Sequence, residues 1–285
     1  MKGKKKRAVK EPEYFRSATN IPTLNYQVYY MKPLEKIGTF ALAFLIGACV
    51  GYLFYGGIGK DEFGQPTTTT WVLDSTISVI VGLIAGKFFL PVRTKSIIKK
   101  RKKELNHQFR DMLEALNTSL SAGKNVNDSF YSVYEDLKIQ YESDAYILKE
   151  LEVIISGLHN NVAIEEILED FGKRSGNDDI QSFANVFKIS YRKGGNIKDI
   201  IRNTHSILTD KMEITEDIET LVTSNKMEQN IMIVMPIALI GVIKMMSPEF
   251  AANFVTPTGL FSTTISIVIF VVAYFVGKSI LEIKL

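Results

Sequence analysis

The sequence predicts an all-α fold: a polytopic membrane protein with four transmembrane helices and a cytoplasmic six-helix hairpin bundle. Three observations carry that expectation. Four long apolar runs interrupt a chain in which 23% of the residues are charged. The polar stretch between the second and third runs repeats apolar residues at three-and-four spacing, without the alternation of strands. Its breaks are short and carry glycine or asparagine, which suit helix ends and helix starts.

The first apolar run covers Ile37–Ile58 and the second Trp71–Val92. The third is Ile231–Met246 and the fourth Leu260–Gly277. A helix needs about 20 apolar residues to cross the hydrocarbon core. The first two runs meet this, and the fourth does so by extending through Ile280 and Leu281. The third is short and spans by letting its polar ends reach the interface or by local thinning of the bilayer. The expected organisation is then a basic cytoplasmic segment (1–36), a transmembrane hairpin (37–92), a helical cytoplasmic domain (93–228) and a second transmembrane hairpin (229–285).

Charge asymmetry orients these spans, because Lys and Arg near span ends favour the cytoplasmic side. Residues 1–37 hold nine Lys or Arg against three acids, and residues 93–103 hold seven and none. The short connection GKDEFGQPTTTT has one Lys and two acids, and SPEFAANFVTPT has Glu249 alone. Both termini and the middle domain are therefore expected in the cytoplasm. The run at 99–103 also suits contact with anionic membrane lipid. Residues 104–228 hold thirteen Lys or Arg against twenty-three acids, which argues against nucleic acid as a partner. Asp74, Lys87 and Lys244 lie near span ends, where each can snorkel to the interface. No central acid pair marks a proton relay. Cys49, the single cysteine, excludes a disulfide scaffold and reads as a small buried apolar residue.

Within the middle domain, helix one runs from about Ser96 to Ser121, with Leu105, Phe109, Met112 and Leu116 on one face. Gly123 stops it. Helix two opens at Asn125 or Asn127, and helix three after Ser143. Asn161 caps helix four and Asn177 caps helix five, where Asp178 and Asp179 favour the positive end. Gly194 and Gly195 stop helix five. Asn196 caps helix six, which continues toward the third span. Gly123-Lys-Asn-Val-Asn-Asp128 aligns with Gly194-Gly-Asn-Ile-Lys-Asp199 at an offset of 71. The pattern is helix stop, Asn cap, apolar anchor and an acid in the first turn, so a hairpin is repeated. Gly195, just before its cap, is the position expected to need φ > 0.

Catalytic signatures are missing. Ser121-Ala-Gly-Lys-Asn lacks the first glycine and the Ser/Thr of a phosphate loop. His107, His159 and His205 have no HExxH or cysteine partners for zinc. There is no GxSxG. No enzyme activity and no cofactor are expected. Glu213, Glu216, Asp217 and Glu219 form a solvated face or dock a basic partner.

Two stretches resemble the type II secretion system F domain family. Phe109-Arg-Asp-Met-Leu-Glu-Ala-Leu-Asn-Thr-Ser-Leu-Ser-Ala-Gly-Lys-Asn-Val looks like the domain's opening, and Lys193-Gly-Gly-Asn-Ile-Lys-Asp-Ile-Ile looks like its second hairpin. Ser247-Pro-Glu-Phe, Thr256-Pro-Thr-Gly259 and Gly277-Lys-Ser-Ile-Leu-Glu-Ile-Lys are similar to the exit region of the tight-adherence (Tad/Flp pilus) branch. One such domain with four spans is the pattern of TadB- and TadC-like proteins. The resemblance implies a membrane platform for pilus assembly or secretion. Its partners would be a cytoplasmic hexameric ATPase, pilin subunits and a second similar platform protein, in a homo- or hetero-oligomer. The alternative is a membrane-anchored scaffold or sensor with a helical signalling domain. That reading needs a kinase-type box or a sizeable outer domain, and the expected outer loops are about a dozen residues.

Overall fold

A computed structural model describes residues 11–59 and 65–281. The MKGKKKR start, most of the GKDEF connection and the last four residues lie outside the described residues. The chain is overwhelmingly helical, with nine α-helices and one two-stranded hairpin among the described residues. In order these are β1 (Tyr14–Arg16), β2 (Pro22–Leu24), α1 (Pro33–Tyr55), α2 (Thr68–Ser121), α3 (Val126–Gln140), α4 (Tyr146–His159), α5 (Ile164–Ser175), α6 (Asp178–Arg192), α7 (Ile197–Met246), α8 (Pro248–Asn253) and α9 (Pro257–Leu281). Helices α1, α2, α7 and α9 are long and apolar enough to cross a membrane, as in a multi-pass membrane protein.

The chain forms two compact units. The first takes the described residues up to Tyr30 together with Thr94–Glu213; the second takes Met31–Arg93 and the described residues from Ile214. This differs from the division at residues 36, 92 and 228. The segment before the first span is part of the helical unit, and residues 214–228 group with the spans. The physical reason is Tyr26, which is 1% exposed and lies in the same core as Leu105, Phe109 and Phe171. β1 pairs antiparallel with β2 in the register Tyr14↔Leu24, Phe15↔Thr23, Arg16↔Pro22. Three-residue strands are too short for a period of two to register in the sequence.

Helix one of the sequence reading is not separate from the second span. α2 is a single helix of 54 residues, and Pro91 lies inside it. Proline lacks the N–H for one helical bond, but the flanking residues keep the helical path and the cationic run 93–103 contains no residue that stops it. α7 is likewise continuous over 50 residues through Pro236, as expected for helix six.

In the first unit the repeated hairpin becomes geometry. At an offset of 71, Phe109 and Ile180, Met112 and Phe183, Leu116 and Phe187, Phe130 and Ile201, and Leu137 and Leu208 are all buried. α2 with α3, and α6 with α7, therefore present matched apolar faces to one core. Asn177 Nδ2 donates to Asn106 Oδ1 at 2.8 Å, a contact between equivalent positions. The Phe109 and Phe183 rings pack edge to face at 5.5 Å. Both contacts climb the two helices in the same direction, so α2 and α6 run parallel within the unit. Their turns, 122–125 and 193–196, lie at the same end. α4 and α5 form a further hairpin inserted between the two repeats.

In the second unit α1 and α2 pack through glycines. A Cβ on Gly47 would lie 2.6 Å from Ala85 Cβ, one on Gly82 2.7 Å from the Phe44 ring, and one on Gly86 2.5 Å from the Phe40 ring. Gly47-x-x-x-Gly51 and Gly82-x-x-x-Gly86 place small residues one turn apart on facing helices, which lets apolar spans approach closely. Cys49 points away from this seam and is exposed, not buried as the sequence suggested. Asp74 and Lys244 each have a hydrogen-bond partner within the protein. The Gly57 N–H donates to both Asp74 carboxylate oxygens at 2.9 and 3.0 Å. Lys244 Nζ donates to the Leu53 carbonyl at 2.7 Å and sits 4.5 Å from the Phe254 ring centroid. Lys244 thus satisfies a carbonyl left open at the C-terminal end of α1.

Candidate functional site

The residues singled out in the sequence fall into two groups, and the structure keeps them apart. The hairpin-turn group comes first. Gly123 has φ +89° and Gly194 φ +72°, so both occupy the left-handed region that glycine adopts without steric cost. Gly195, the residue expected to need it, is not in that region. The left-handed residue of the second turn is Gly194, one position earlier, which matches Gly123 in the alignment. Asn125 Oδ1 accepts from the Asp128 N–H at 2.8 Å, while its Nδ2 donates to Asp128 Oδ2. Asn196 and Asp199 repeat both bonds. Each turn thus reverses the chain through a left-handed glycine and restarts it with an Asn cap.

The third Asn cap of the sequence reading, Asn177, also holds: its Oδ1 accepts from the Asp179 N–H at 2.8 Å. Asn161 does not cap. It has φ +54° and forms the turn itself, and α5 starts after Ala163 with no side-chain cap. Asparagine tolerates the left-handed region better than other non-glycine residues, which explains how it serves in either place.

The acidic group lies far down α7. From Asn196 to Glu213 is seventeen residues, about 25 Å at 1.5 Å per residue. Glu213, Glu216 and Asp217 are exposed, and Glu219 is half-buried with an interaction of its own. Among them, Glu213, Glu216 and Asp217 share one face by their three-and-four spacing. The run 99–103 is partly consumed inside the protein. Arg101 donates to the Val28 carbonyl at 3.3 Å and stands over the Tyr29 ring, and Lys102 donates to the Gly176 carbonyl at 2.8 Å.

The strongest electrostatic feature of the first unit was not visible in the sequence. Arg174 on α5 donates to both oxygens of Glu150 on α4, at 2.9 and 2.7 Å, and both side chains are 3% exposed. Arg174 Nε also donates to Asp170 at 2.8 Å, and the Tyr26 hydroxyl donates to Glu150 at 2.8 Å. Burial, together with the Glu150 carboxylate, pushes the Tyr26 pKa well above its ordinary value. Burial pulls the Arg174 pKa down, but the bonds to Glu150 and Asp170 outweigh it and raise it. This network anchors the N-terminal segment to the helices. Glu150 and Arg174 are 24 residues apart on different helices, so no local pattern pairs them. The facing four-residue glycine spacings in α1 and α2, by contrast, are a signal that the sequence does carry.

Elsewhere Tyr141 donates to Asp111, and burial followed by that bond raises its pKa. Among the described residues no three His, Cys, Asp or Glu side chains are grouped to hold a metal ion. No protein-family model matches the chain, and no curated protein and no solved structure shows significant similarity to it. The class that the structure itself defines is a helical protein with four membrane-capable helices and a separate polar helical unit.

Proposed function

We propose that the chain is a membrane platform protein of a type IV (Tad/Flp-like) pilus or a type II-like secretion machine. Its helical unit, read as a cytoplasmic six-helix bundle, couples an assembly ATPase to the insertion or extraction of pilin subunits. The observation that carries this reading is the repeated hairpin: two Gly–Asn turns with matched buried positions, one hairpin sharing α2 and the other α7 with membrane-capable segments. Support also comes from the F-domain-like residues 109–126 and 193–201, and from the Lys/Arg asymmetry that favours a cytoplasmic side for the unit. The acidic face Glu213, Glu216, Asp217 and Glu219 is the proposed ATPase contact. Attraction between exposed charges is screened within about 10 Å at 0.1 M salt, so association is expected to fall as salt rises.

Two measurements test this. An alkaline phosphatase fusion at Lys173 is expected to be inactive; activity there overturns the orientation. The full chain in detergent is expected to capture a hexameric ATPase from its own cells, and E213K/E216K/D217K/E219K is expected to slow that association. Undiminished pilin assembly or export in cells lacking the chain overturns the platform reading itself.

A further inference from the structure

Within the first unit, α2, the α3–α4 connection and the first turns of α4 line an open cleft of about 740 Å³. Lys100, Lys103 and His107 line it from one face of α2, by their three-and-four spacing, and Lys149 lines it from α4. Glu104 lines it from the same face of α2, and Glu142 and Asp144 line it from the connection. Two half-buried polar groups in the lining are uncommitted. The His107 imidazole has no hydrogen-bond partner among the described residues. Tyr146 packs its ring edge-on against Tyr26 at 5.6 Å, and its hydroxyl likewise has no partner among them. The neighbouring polar groups are already used: Gln108 Oε1 accepts from the Ile147 N–H at 3.0 Å, and Tyr141 donates to Asp111.

We propose that this cleft binds a phosphate ester that also carries an ammonium group. Lys100 and Lys149, with the imidazole and the phenol, supply directed donors for a phosphate, and Lys103, which has an interaction of its own, adds positive charge. The three carboxylates Glu104, Glu142 and Asp144 match the three lysines in charge; they supply the complementary site for a cation and disfavour a ligand that is only anionic. The volume falls within the roughly 300–1,000 Å³ of small-ligand sites. The same chemistry occurs in a phosphoethanolamine lipid headgroup and in a soluble aminoalkyl phosphate. The proposal is independent of the platform reading.

The three histidines of the chain make the test direct. The full chain, labelled at histidine and held in maltoside micelles, is titrated with O-phosphoethanolamine. In a second arm the micelles are doped with phosphatidylethanolamine instead. Saturable shifts of the His107 resonances are expected, with those of His159 and His205 fixed; the fixed pair also reports that the fold persists. A response only in the second arm assigns the ligand to lipid, and a response in the first assigns it to a soluble ester. K100Q/K103Q/K149Q is expected to weaken binding at least tenfold. K124Q/K138Q/K193Q, equal in charge but outside the cleft, is expected to stay within twofold of wild type. Ethyl phosphate, which lacks the ammonium, is expected to bind several-fold more weakly, and E104Q/E142Q/D144N to erase that difference. No His107 response in either arm, equal weakening by the two lysine triples, or equal binding of ethyl phosphate to the wild type overturns the proposal.

Discussion

Removing Arg174 is expected to damage the first unit more than removing Glu150, although the two form one ion pair. Breaking a buried pair from one side typically costs about 3–5 kcal/mol, because the remaining charge stays buried. In Glu150→Gln, Arg174 keeps Asp170, bonded at 2.8 Å, so the cost belongs at the low end, about 3 kcal/mol. In Arg174→Met, the Glu150 carboxylate keeps only the Tyr26 hydroxyl as a side-chain partner, so the cost belongs near 5 kcal/mol. The double variant E150M/R174M leaves the buried Tyr26 hydroxyl without its acceptor, a penalty of about 1–3 kcal/mol. Adding Tyr26→Phe removes that orphan. The triple variant should therefore be more stable than Arg174→Met alone. Pulse proteolysis of the full chain across a urea series ranks the four variants. Equal costs for the two single variants, or a triple variant no better than Arg174→Met, would refute the account of the network as a charge that must be matched.

Three further outcomes are expected. Gly194→Ala should destabilise its hairpin by about 1–2 kcal/mol, since an L side chain at φ +72° is strained even though nothing lies within 4 Å of its Cβ, whereas Gly195→Ala should cost less; the same proteolysis ranks them, and the reverse order sinks the assignment of the turn. Gly82→Ala should lower the thermal midpoint of the chain in detergent, because its Cβ meets the Phe44 ring, and Phe44→Ala should restore part of the loss; strictly additive losses would show that the two do not touch. The Glu169 carboxyl, held down to about 2 by hydrogen bonds from Lys173 and Lys188, should titrate well below its ordinary 4.5. A lowered folded-state value means that this contribution to stability is complete above about 4.5 and is lost as pH falls toward 2; a carboxyl carbon titration with its midpoint at 4.5 contradicts it.

Much of the architecture follows from local patterns. Apolar runs of span length, Asn caps at 125, 177 and 196, and the offset of 71 between the two hairpins each depend on neighbours a few residues apart, so a linear reading reaches them. Propensity and capping act over one turn of helix, and that is the range over which a sequence speaks for itself. What tertiary structure decided acts across the chain. It moved the left-handed residue from Gly195 to Gly194 and turned Asn161 from a cap into a turn, choices between adjacent residues that local preference leaves nearly balanced. It drew Tyr26 onto Glu150, 124 residues away, and paired Glu150 with Arg174 inside a core. A buried charge must find its partner wherever the packing brings one, and that distance in sequence carries no local signature.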